Sequence, residues 1–348
     1  MVEEFKKRKK NILQAIIREH ILTASPIGSR TLAKAYDLGV SPATIRNEMS
    51  DLEELGYLKQ PHTSAGRVPS DKGYRFYVDV LMENDGIESS KIKEAVSKMY
   101  NEKKGIQGII SGMVKMLSRL TRYTTMISEP ELQESILQNI ELIRVARRTL
   151  LVVLITDTGI VNNKVIKLQK DLDSNQLKNI NNYLCKRLKG EKLIELNNDL
   201  LHKVGKELIK RINISEKIYE IICDQINNII EPANLKVFLG GRSYILEQPE
   251  FNDIENLKKV LTLFDHEENL RKIINNLPDK GIEVKIGHEN NLEEIQNFSI
   301  VYTTYHLGDK GMGKIVVIGP TRMQYPRVIS TVDLAADIFG KIISNASR

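Results

Sequence analysis

Cysteine is scarce in this chain: Cys185 and Cys223 are the only two among 348 residues. Two cysteines in ordinary surroundings do not make a disulfide framework or a thiolate metal site, and they indicate a reducing compartment. The six histidines are scattered, and none stands at the H-x-x-x-H spacing that places two metal ligands on one helix face. We therefore expect no metal and no cofactor.

Long apolar runs are also lacking. Runs such as residues 150–155 are far shorter than the roughly 20 apolar residues that a membrane-spanning helix needs. The basic residues at 6–10 are not followed by the apolar core of a secretion signal. The sequence therefore predicts a cytoplasmic protein that does not associate with a membrane.

Catalytic motifs are lacking as well, since no G-x-S-x-G elbow and no carboxylate dyad can be identified. Residues 308–314 fit the G-x-x-x-x-G-K core of a phosphate-binding loop, and a nucleotide-hydrolysing enzyme would rest on them. Ile315 stands where that loop needs Ser or Thr, however, and the following residues are typical of a strand instead of a helix. We expect a hairpin loop here and a protein that is not an enzyme.

The chain is long enough for two or three domains, with 41% hydrophobic and 28% charged residues. Its formal net charge is +6, and residues 1–75 hold 13 Lys and Arg against 9 Asp and Glu, a surplus of 4. A basic surplus in this first part of the chain favours a polyanion as partner, although a plain solvated surface would also suit so small an excess.

One helix stands out in the basic part of the chain. It is predicted to begin at Ser41 or Pro42, because serine caps a helix and proline suits its first position. Ile45, Met49 and Leu52 follow at the i, i+4, i+7 spacing of one buried stripe. The other faces hold small or polar residues that can read base edges, since arginine pairs with guanine and asparagine with adenine; an ordinary surface helix remains the alternative.

The segments around this helix complete a winged helix-turn-helix. Two amphipathic helices are predicted at residues 6–21 and 29–36, and a strand, a turn and a returning strand at 57–68 form the wing. The loop side chains of the wing would lie near the DNA backbone or the minor groove. The candidate DNA-binding residues on helix and wing are Ser41, Ala43, Thr44, Arg46, Asn47, Ser50, His62, Thr63, Ser64 and Arg67.

These segments resemble a known family signature. The sequences GVSPATIRNEM at 39–49, DLEELG at 51–56, QPHTSAGR at 60–67 and KGYRFYV at 72–78 are similar to the winged helix of the heat-inducible transcription repressor HrcA family. The resemblance implies a DNA-binding repressor. We assign its base contacts to Thr44, Arg46 and Asn47, with a phosphate contact as the alternative for Arg46, which is adjacent to the buried Ile45.

The rest of the chain alternates strand-like and helix-like segments. Strands are predicted at 142–168 and again at 281–319, with a helix-rich block between them, which suggests a sheet domain interrupted by an insertion. The resemblance implies a GAF-like α/β sheet domain split by an inserted dimerising domain. We thus expect an α+β multidomain protein, with a winged helix at 1–85, a GAF-like domain at 86–191 and 281–348, and a helix-rich insertion at 192–280.

The resemblance also implies the partners. A homodimer would bind double-stranded DNA at the inverted repeat called CIRCE, upstream of heat-shock chaperone operons, and the GroEL chaperonin would modulate its activity. The alternative is a winged-helix regulator that uses the GAF-like domain to sense a small ligand.

Overall fold

A computed structural model describes residues 7–62, 65–82, 106–131, 133–212, 214–231, 235–251, 254–308 and 311–346. Helices and sheets both contribute to the fold, as expected for an α+β protein. The expected boundary at residues 85 and 86 lies outside the described residues. No helix within the described ranges has the length and apolar character that a membrane span requires.

The N-terminal part is a winged helix-turn-helix. Its core is formed by apolar side chains of the first and third helices, including Ile12, Ile16, Ile45 and Leu52, none of which is exposed to solvent. The elements are α1 (Lys7–Thr23), α2 (Ser29–Ala35), α3 (Pro42–Glu54), β1 (Leu58–Lys59), β2 (Val68–Pro69) and α4 (Asp71–Phe76), followed by a π-helical turn at Tyr77–Leu81.

The wing is a small antiparallel sheet. Lys59 pairs with Val68, and Arg67 exchanges two backbone hydrogen bonds of 2.9 Å with Ile27, in the segment between α1 and α2. Gly66 has to be glycine at this crossing, because a Cβ there would lie 2.3 Å from the carbonyl oxygen of Ile27. The wing is therefore held to the helical part of the domain as well as to itself.

The largest sheet has five antiparallel strands in the order β7-β3-β10-β9-β8. Its strands are β3 (Thr124–Ser128), β7 (Val237–Gly240), β8 (Glu283–Ile286), β9 (Phe298–His306) and β10 (Met312–Pro320). Ile315 and Val317 pack with the helices α5 (Ile106–Thr121) and α12 (Tyr325–Ala346) on one face. Val316 and Ile318 pack on the opposite face, with α9 (Ser243–Leu246), α10 (Ile254–Asp265) and α11 (Glu267–Asn275).

A second sheet has three antiparallel strands, β4 (Leu137–Ala146), β5 (Thr149–Thr156) and β6 (Val161–Lys167). The helices α6 (Ser174–Leu188), α7 (Asn198–Ile212) and α8 (Glu216–Ile230) follow it in the chain. Helices α6 and α8 pack on one face of this sheet, and α7 packs against both of them. Leu142, Val152 and Leu154 are buried beneath these helices.

The sheet topology corrects the expected position of the insertion. Residues 142–168 do not belong to the sheet of residues 281–319 but form the separate three-stranded sheet. Residues 237–240, expected within the insertion, pair with β3 in the five-stranded sheet, and α10 and α11 pack on that sheet too. The predicted bounds of the insertion, 192–280, were therefore wrong. A hydrophobic pattern predicts that a segment forms a strand but not which strand it pairs with, and the sequence had not indicated β3 at all. We propose that the insertion is the segment between β3 and β7.

The winged helix is docked on the five-stranded sheet domain. Arg322, which precedes α12, is 9% exposed and donates from Nη1 to the carbonyl oxygen of Ile21 in α1 at 3.1 Å. The same guanidinium donates to both carboxylate oxygens of Glu250. A second group of contacts joins α4 to residues 284–289, including the hydrogen bond between Asp71 Oδ2 and His288 Nδ1 at 2.7 Å. The two domains therefore share a polar interface.

Candidate nucleic-acid interface

The start of α3 is set by its cap. The Ser41 hydroxyl accepts a hydrogen bond from the backbone N–H of Thr44 at 3.2 Å, and Pro42 occupies the first turn. Gly39 has φ of 63°, the left-handed conformation that glycine tolerates best, and this lets the chain turn between α2 and α3. The predicted helix and its cap are confirmed.

Successive residues of an α-helix are rotated by about 100°, and this rotation assigns each residue of α3 to one face of the helix. Ile45, Met49 and Leu52 are buried against the domain core. Ala43, Asn47 and Ser50 lie on the opposite side, and all three are exposed. The exposed row is polar or small, so a nucleic-acid groove could approach it without a bulky side chain in the way.

The flank of α3 that faces α1 is held by ion pairs. Lys9 Nζ lies 2.8 Å from Asp51 Oδ2, and the hydrogen bond to Asp51 is the main cause that raises the pKa of Lys9. Arg8 Nη1 lies 3.8 Å from Glu48 Oε1. Glu48 and Asp51 therefore face the basic first turn of α1 and not the exposed row.

The other flank of α3 faces the wing. Arg67 Nε lies 2.7 Å from Glu53 Oε2, so the wing arginine ties β2 to α3. The Gln60 side chain donates to the carbonyl oxygen of Ala65 at 3.2 Å and closes the wing loop from within.

A cleft of about 480 Å³ lies between α3, the wing and the start of α2. Arg46, Gln60 and Arg67 contribute long polar side chains to it, and Ser29 lines its far side. This cleft runs beside the exposed row of α3, where a duplex lying on the helix would place one of its backbones.

The structure places most of the predicted DNA-binding residues on one surface. Arg46 and His62 are exposed, as are Ser41 and the row of Ala43, Asn47 and Ser50. Thr44 is half-buried, and its hydroxyl lies 3.0 Å from the Ser41 hydroxyl. Thr63 and Ser64 lie outside the described residues. Helix and wing are thus brought together as the sequence suggested, with Arg67 turned toward Glu53.

A second cleft on the far side of the helix-turn-helix was not foreseen as part of the site. Lys7, Arg8 and Asn11 of α1 line it together with Gly39 and Val40 of the turn before α3. The only sequence signal for it was the basic leading turn of α1. It adds positive charge next to the N-terminus of α3.

The phosphate-loop-like segment has a structural role. Lys314 lies in β10 and is 8% exposed. Its ammonium group donates to the carbonyl oxygens of Leu277 at 2.6 Å and Ile274 at 3.3 Å, and lies 2.9 Å from Asp279 Oδ1. The lysine that a phosphate loop would present to a nucleotide is therefore bound to the C-terminal end of α11, and the segment joins the antiparallel strands β9 and β10.

A helix-turn-helix with a wing and an exposed third helix, joined to a sheet domain, defines a winged-helix transcription regulator. Residues 107–329 match the family model described as the HrcA protein C terminal domain. The heat-inducible transcription repressor HrcA of Natranaerobius thermophilus is 40% identical over 327 residues, which cover 93% of each chain. The HrcA of Moorella thermoacetica is 38% identical over 344 residues, which cover 98% of each chain. The chain belongs to the HrcA family of heat-inducible transcription repressors.

A solved structure agrees with this fold. The crystal structure of a hypothetical protein at 2.2 Å resolution is similar to this chain with a TM-score of 0.63 and 24% identity, covering 99% of this chain and 100% of the other. At that identity the likeness supports the fold alone.

Proposed function

We propose that the protein is a sequence-specific repressor of heat-shock chaperone operons that binds the CIRCE inverted repeat. The observation that supports this most directly is the exposed row of Ala43, Asn47 and Ser50 on α3, opposite the buried stripe of that helix. A recognition helix reads base edges in the major groove from such a row. The relatives named heat-inducible transcription repressor supply the biological setting.

The proposed DNA surface combines α3 and the wing. Base edges face α3, and the wing loop at residues 60–67 lies along the backbone or in the minor groove. Phosphate contacts from Lys and Arg add affinity without sequence information, whereas bonds to base edges discriminate. The full proposed set is Ser41, Ala43, Thr44, Arg46, Asn47, Ser50, His62, Thr63, Ser64 and Arg67.

We propose that the protein acts as a homodimer, because one winged helix contacts few base pairs and an inverted repeat has two-fold symmetry. The face of the three-stranded sheet that α6 and α8 leave open supports this. Ile143, Leu151 and Val165 lie side by side across its three strands, and Ile155 pairs with Val161 four residues further along the strands. Ile143 is 42% exposed, Val161 43% and Val165 58%.

Between these two rows Val153 lies beside Glu141 and Asn163, so the face is apolar over most of its area. A largely apolar exposed face is unusual on a monomer and is the kind of surface that a second copy covers. The proposed occupant is the same face of a partner chain, since a two-fold axis brings identical surfaces together.

We propose that the GroEL chaperonin controls the active fraction of the repressor. The five-stranded sheet pairs Ile127 with Ile315 and Ser128 with Val237, so its central pairings cannot form until most of the chain is available. Such long-range pairing folds slowly and leaves apolar surface exposed meanwhile. Refolding from denaturant to full operator binding at undiminished yield without chaperonin would contradict this proposal.

We further propose that the protein works in the cytoplasm, needs no cofactor and is not an enzyme. The family of transcription repressors to which the chain belongs supports these proposals.

Fluorescence anisotropy tests the DNA-binding function. A labelled duplex with the inverted repeat is compared with a scrambled duplex of the same composition at one salt concentration. We expect the wild-type protein to prefer the repeat strongly and the double variant Arg46→Ala with Asn47→Ala to lose the preference. A thermal melt of the double variant controls for folding, and equal wild-type binding to both duplexes, unchanged by added chaperonin, would overturn the proposal.

A further inference from the structure

Arg46 does not lie in the same row as the residues that face outward from α3. One residue along a helix is a rotation of about 100°, which places Arg46 a quarter turn from Asn47, on the side of Met49. Met49 and Arg46 both line the cleft between α3 and the wing, whereas Ala43, Asn47 and Ser50 do not. The base-reading row and Arg46 therefore point toward different parts of a bound duplex.

Arg46 is also available for a ligand. It is exposed, and it makes no ion pair or side-chain hydrogen bond with any other residue that the structure describes. The neighbouring basic residue of the cleft, Arg67, is already paired with Glu53 at 2.7 Å. Of the two arginines that line this cleft, Arg46 is thus the one whose guanidinium is free to bind an anion.

The other residues that line the cleft are compatible with a bound ligand that is anionic and polar, such as a sugar-phosphate chain. Gly28 and Gly66 have no side chains, so the walls are low where the segment before α2 meets the wing. Gln60 and Ser29 add polar groups, and none of the described residues that line the cleft is an aspartate or a glutamate. A strand of the DNA backbone, with a phosphate at every nucleotide, fits this combination of room, polarity and positive charge.

We propose that Arg46 binds a backbone phosphate in the cleft between α3 and the wing, and that sequence is read by the row of Ala43, Asn47 and Ser50. This assignment rests on the proposed DNA-binding function and, of the two contacts expected for Arg46, favours the phosphate over the base. Under this assignment Arg46 contributes to the affinity for DNA and to the position of the protein along the duplex, whereas Asn47 is the main determinant of sequence specificity.

A phosphate contact and a base contact by Arg46 would differ in how they depend on salt concentration and on the shape of the side chain. A phosphate contact releases counterions, and its loss lowers the slope of log K against log salt by about 0.9 for each contact on duplex DNA. A base contact by arginine needs the planar two-pronged guanidinium, which lysine cannot reproduce, whereas a phosphate accepts either cation.

The test is a salt titration by fluorescence anisotropy of the full-length protein on the inverted-repeat duplex and the scrambled duplex. The variants are Arg46→Ala, Arg46→Lys and Asn47→Ala, with Arg119→Ala, exposed on α5, as the matched control for loss of one positive charge. For a dimer with two such contacts, we expect Arg46→Ala to lower the slope by about 1.8 on both duplexes and to keep the wild-type ratio of affinities. Arg46→Lys keeps both the slope and the ratio.

Asn47→Ala keeps the wild-type slope and lowers the preference for the repeat by roughly 5-fold to 150-fold at each half-site, the range for one good base contact. Loss of preference in Arg46→Lys, comparable to that in Asn47→Ala, would overturn the phosphate assignment while the proposed function survives. An unchanged slope in Arg46→Ala would overturn it as well. A wild-type protein without preference would instead overturn the proposed function, and the slope of Arg46→Ala would still decide the phosphate contact.

Discussion

Arg75 in α4 donates a hydrogen bond from Nε to Glu289 Oε1 at 2.8 Å, although the two residues are 214 positions apart in the chain. The same guanidinium donates from Nη2 to the carbonyl oxygen of Val284 at 2.6 Å and contacts the second oxygen of Glu289. These bonds attach the winged helix to the edge strand of the five-stranded sheet. The direction in which α3 faces is consequently fixed relative to the sheet domain.

We predict that Arg75→Ala loosens this attachment by about 1 to 2 kcal/mol, the usual loss for a charged residue with several hydrogen bonds. Hydrogen exchange of the backbone amides at residues 71–76 and 283–289 should then be about tenfold faster, since 1.4 kcal/mol corresponds to a factor of ten.

The matched control for that variant is Arg242→Ala, which removes another arginine ion pair, to Asp265 at 2.8 Å. Both partners of this pair are about half exposed or more, at 47% and 61%, and exposed pairs contribute little. Equal exchange at residues 71–76 in Arg75→Ala and Arg242→Ala would show that Arg75 does not hold the interface.

His20, at the interface between the winged helix and the sheet domain, is predicted to make the stability of the protein depend on pH. Burial and the nearby Arg322 lower the pKa of His20 to about 4, although Glu250 opposes this, and its Nδ1 lies 2.6 Å from the Tyr74 hydroxyl. The folded protein therefore prefers neutral His20, whereas the unfolded chain takes up the proton near pH 6.5. The free energy of unfolding is predicted to be fully retained above pH 6.5 and to fall, by at most about 3 kcal/mol from this group, between pH 6.5 and 4.

Urea denaturation of wild type and His20→Asn over this pH range measures that effect. Asparagine keeps a polar partner for Tyr74 but has no proton to gain, so the difference in stability between the two proteins should change with pH below 6.5. A difference that is constant from pH 7 to 4 would contradict the prediction.

Lys314 is predicted to stabilise the sheet domain by capping α11. Lys314→Met leaves the carbonyl oxygens of Ile274 and Leu277 without the buried ammonium and should lower the free energy of unfolding by about 1 to 3 kcal/mol. Urea denaturation measures this loss. The control is Lys280→Met, since Lys280 is 64% exposed and pairs with Glu283 at the surface; equal effects of the two substitutions would rule out a capping role.

The open face of the three-stranded sheet is predicted to hold the dimer together. Val165→Lys places a charge on this face, on its edge strand β6, and should convert the protein to a monomer in sedimentation equilibrium, while its affinity for a duplex with one half-site stays within about threefold of wild type. Leu246→Lys is the control, because Leu246 is 55% exposed on α9, outside this sheet. A Val165→Lys protein that remains dimeric would exclude the face as the interface.

Local signals predicted the recognition helix well, and long-range pairing could not be predicted. Ser41, Pro42 and the spacing of Ile45 and Met49 define α3 within a dozen residues, so its cap and buried stripe were correct. The neighbours of β3 come from residues 237–240 and 315–318, and no pattern within β3 encodes them.

In the candidate DNA-binding site, too, local features could be predicted from the sequence and long-range contacts could not. The exposed row of α3 follows from helical periodicity alone. The pairing of Arg67 with Glu53 depends on how the wing folds back on α3, which the order of residues in the wing does not specify. The cleft around Arg46 likewise exists only once the start of α2, the wing and α3 have come together.

Transcription in vitro from a chaperone promoter that carries the inverted repeat tests repression through α3 most directly. Purified protein is added to templates with both half-sites intact, one scrambled, or both scrambled, alongside the Asn47→Ala variant. We predict that the wild-type protein represses only the intact template strongly and that Asn47→Ala represses none. Equal repression of all three templates, or full repression by Asn47→Ala, would contradict a repressor that reads its operator through this helix.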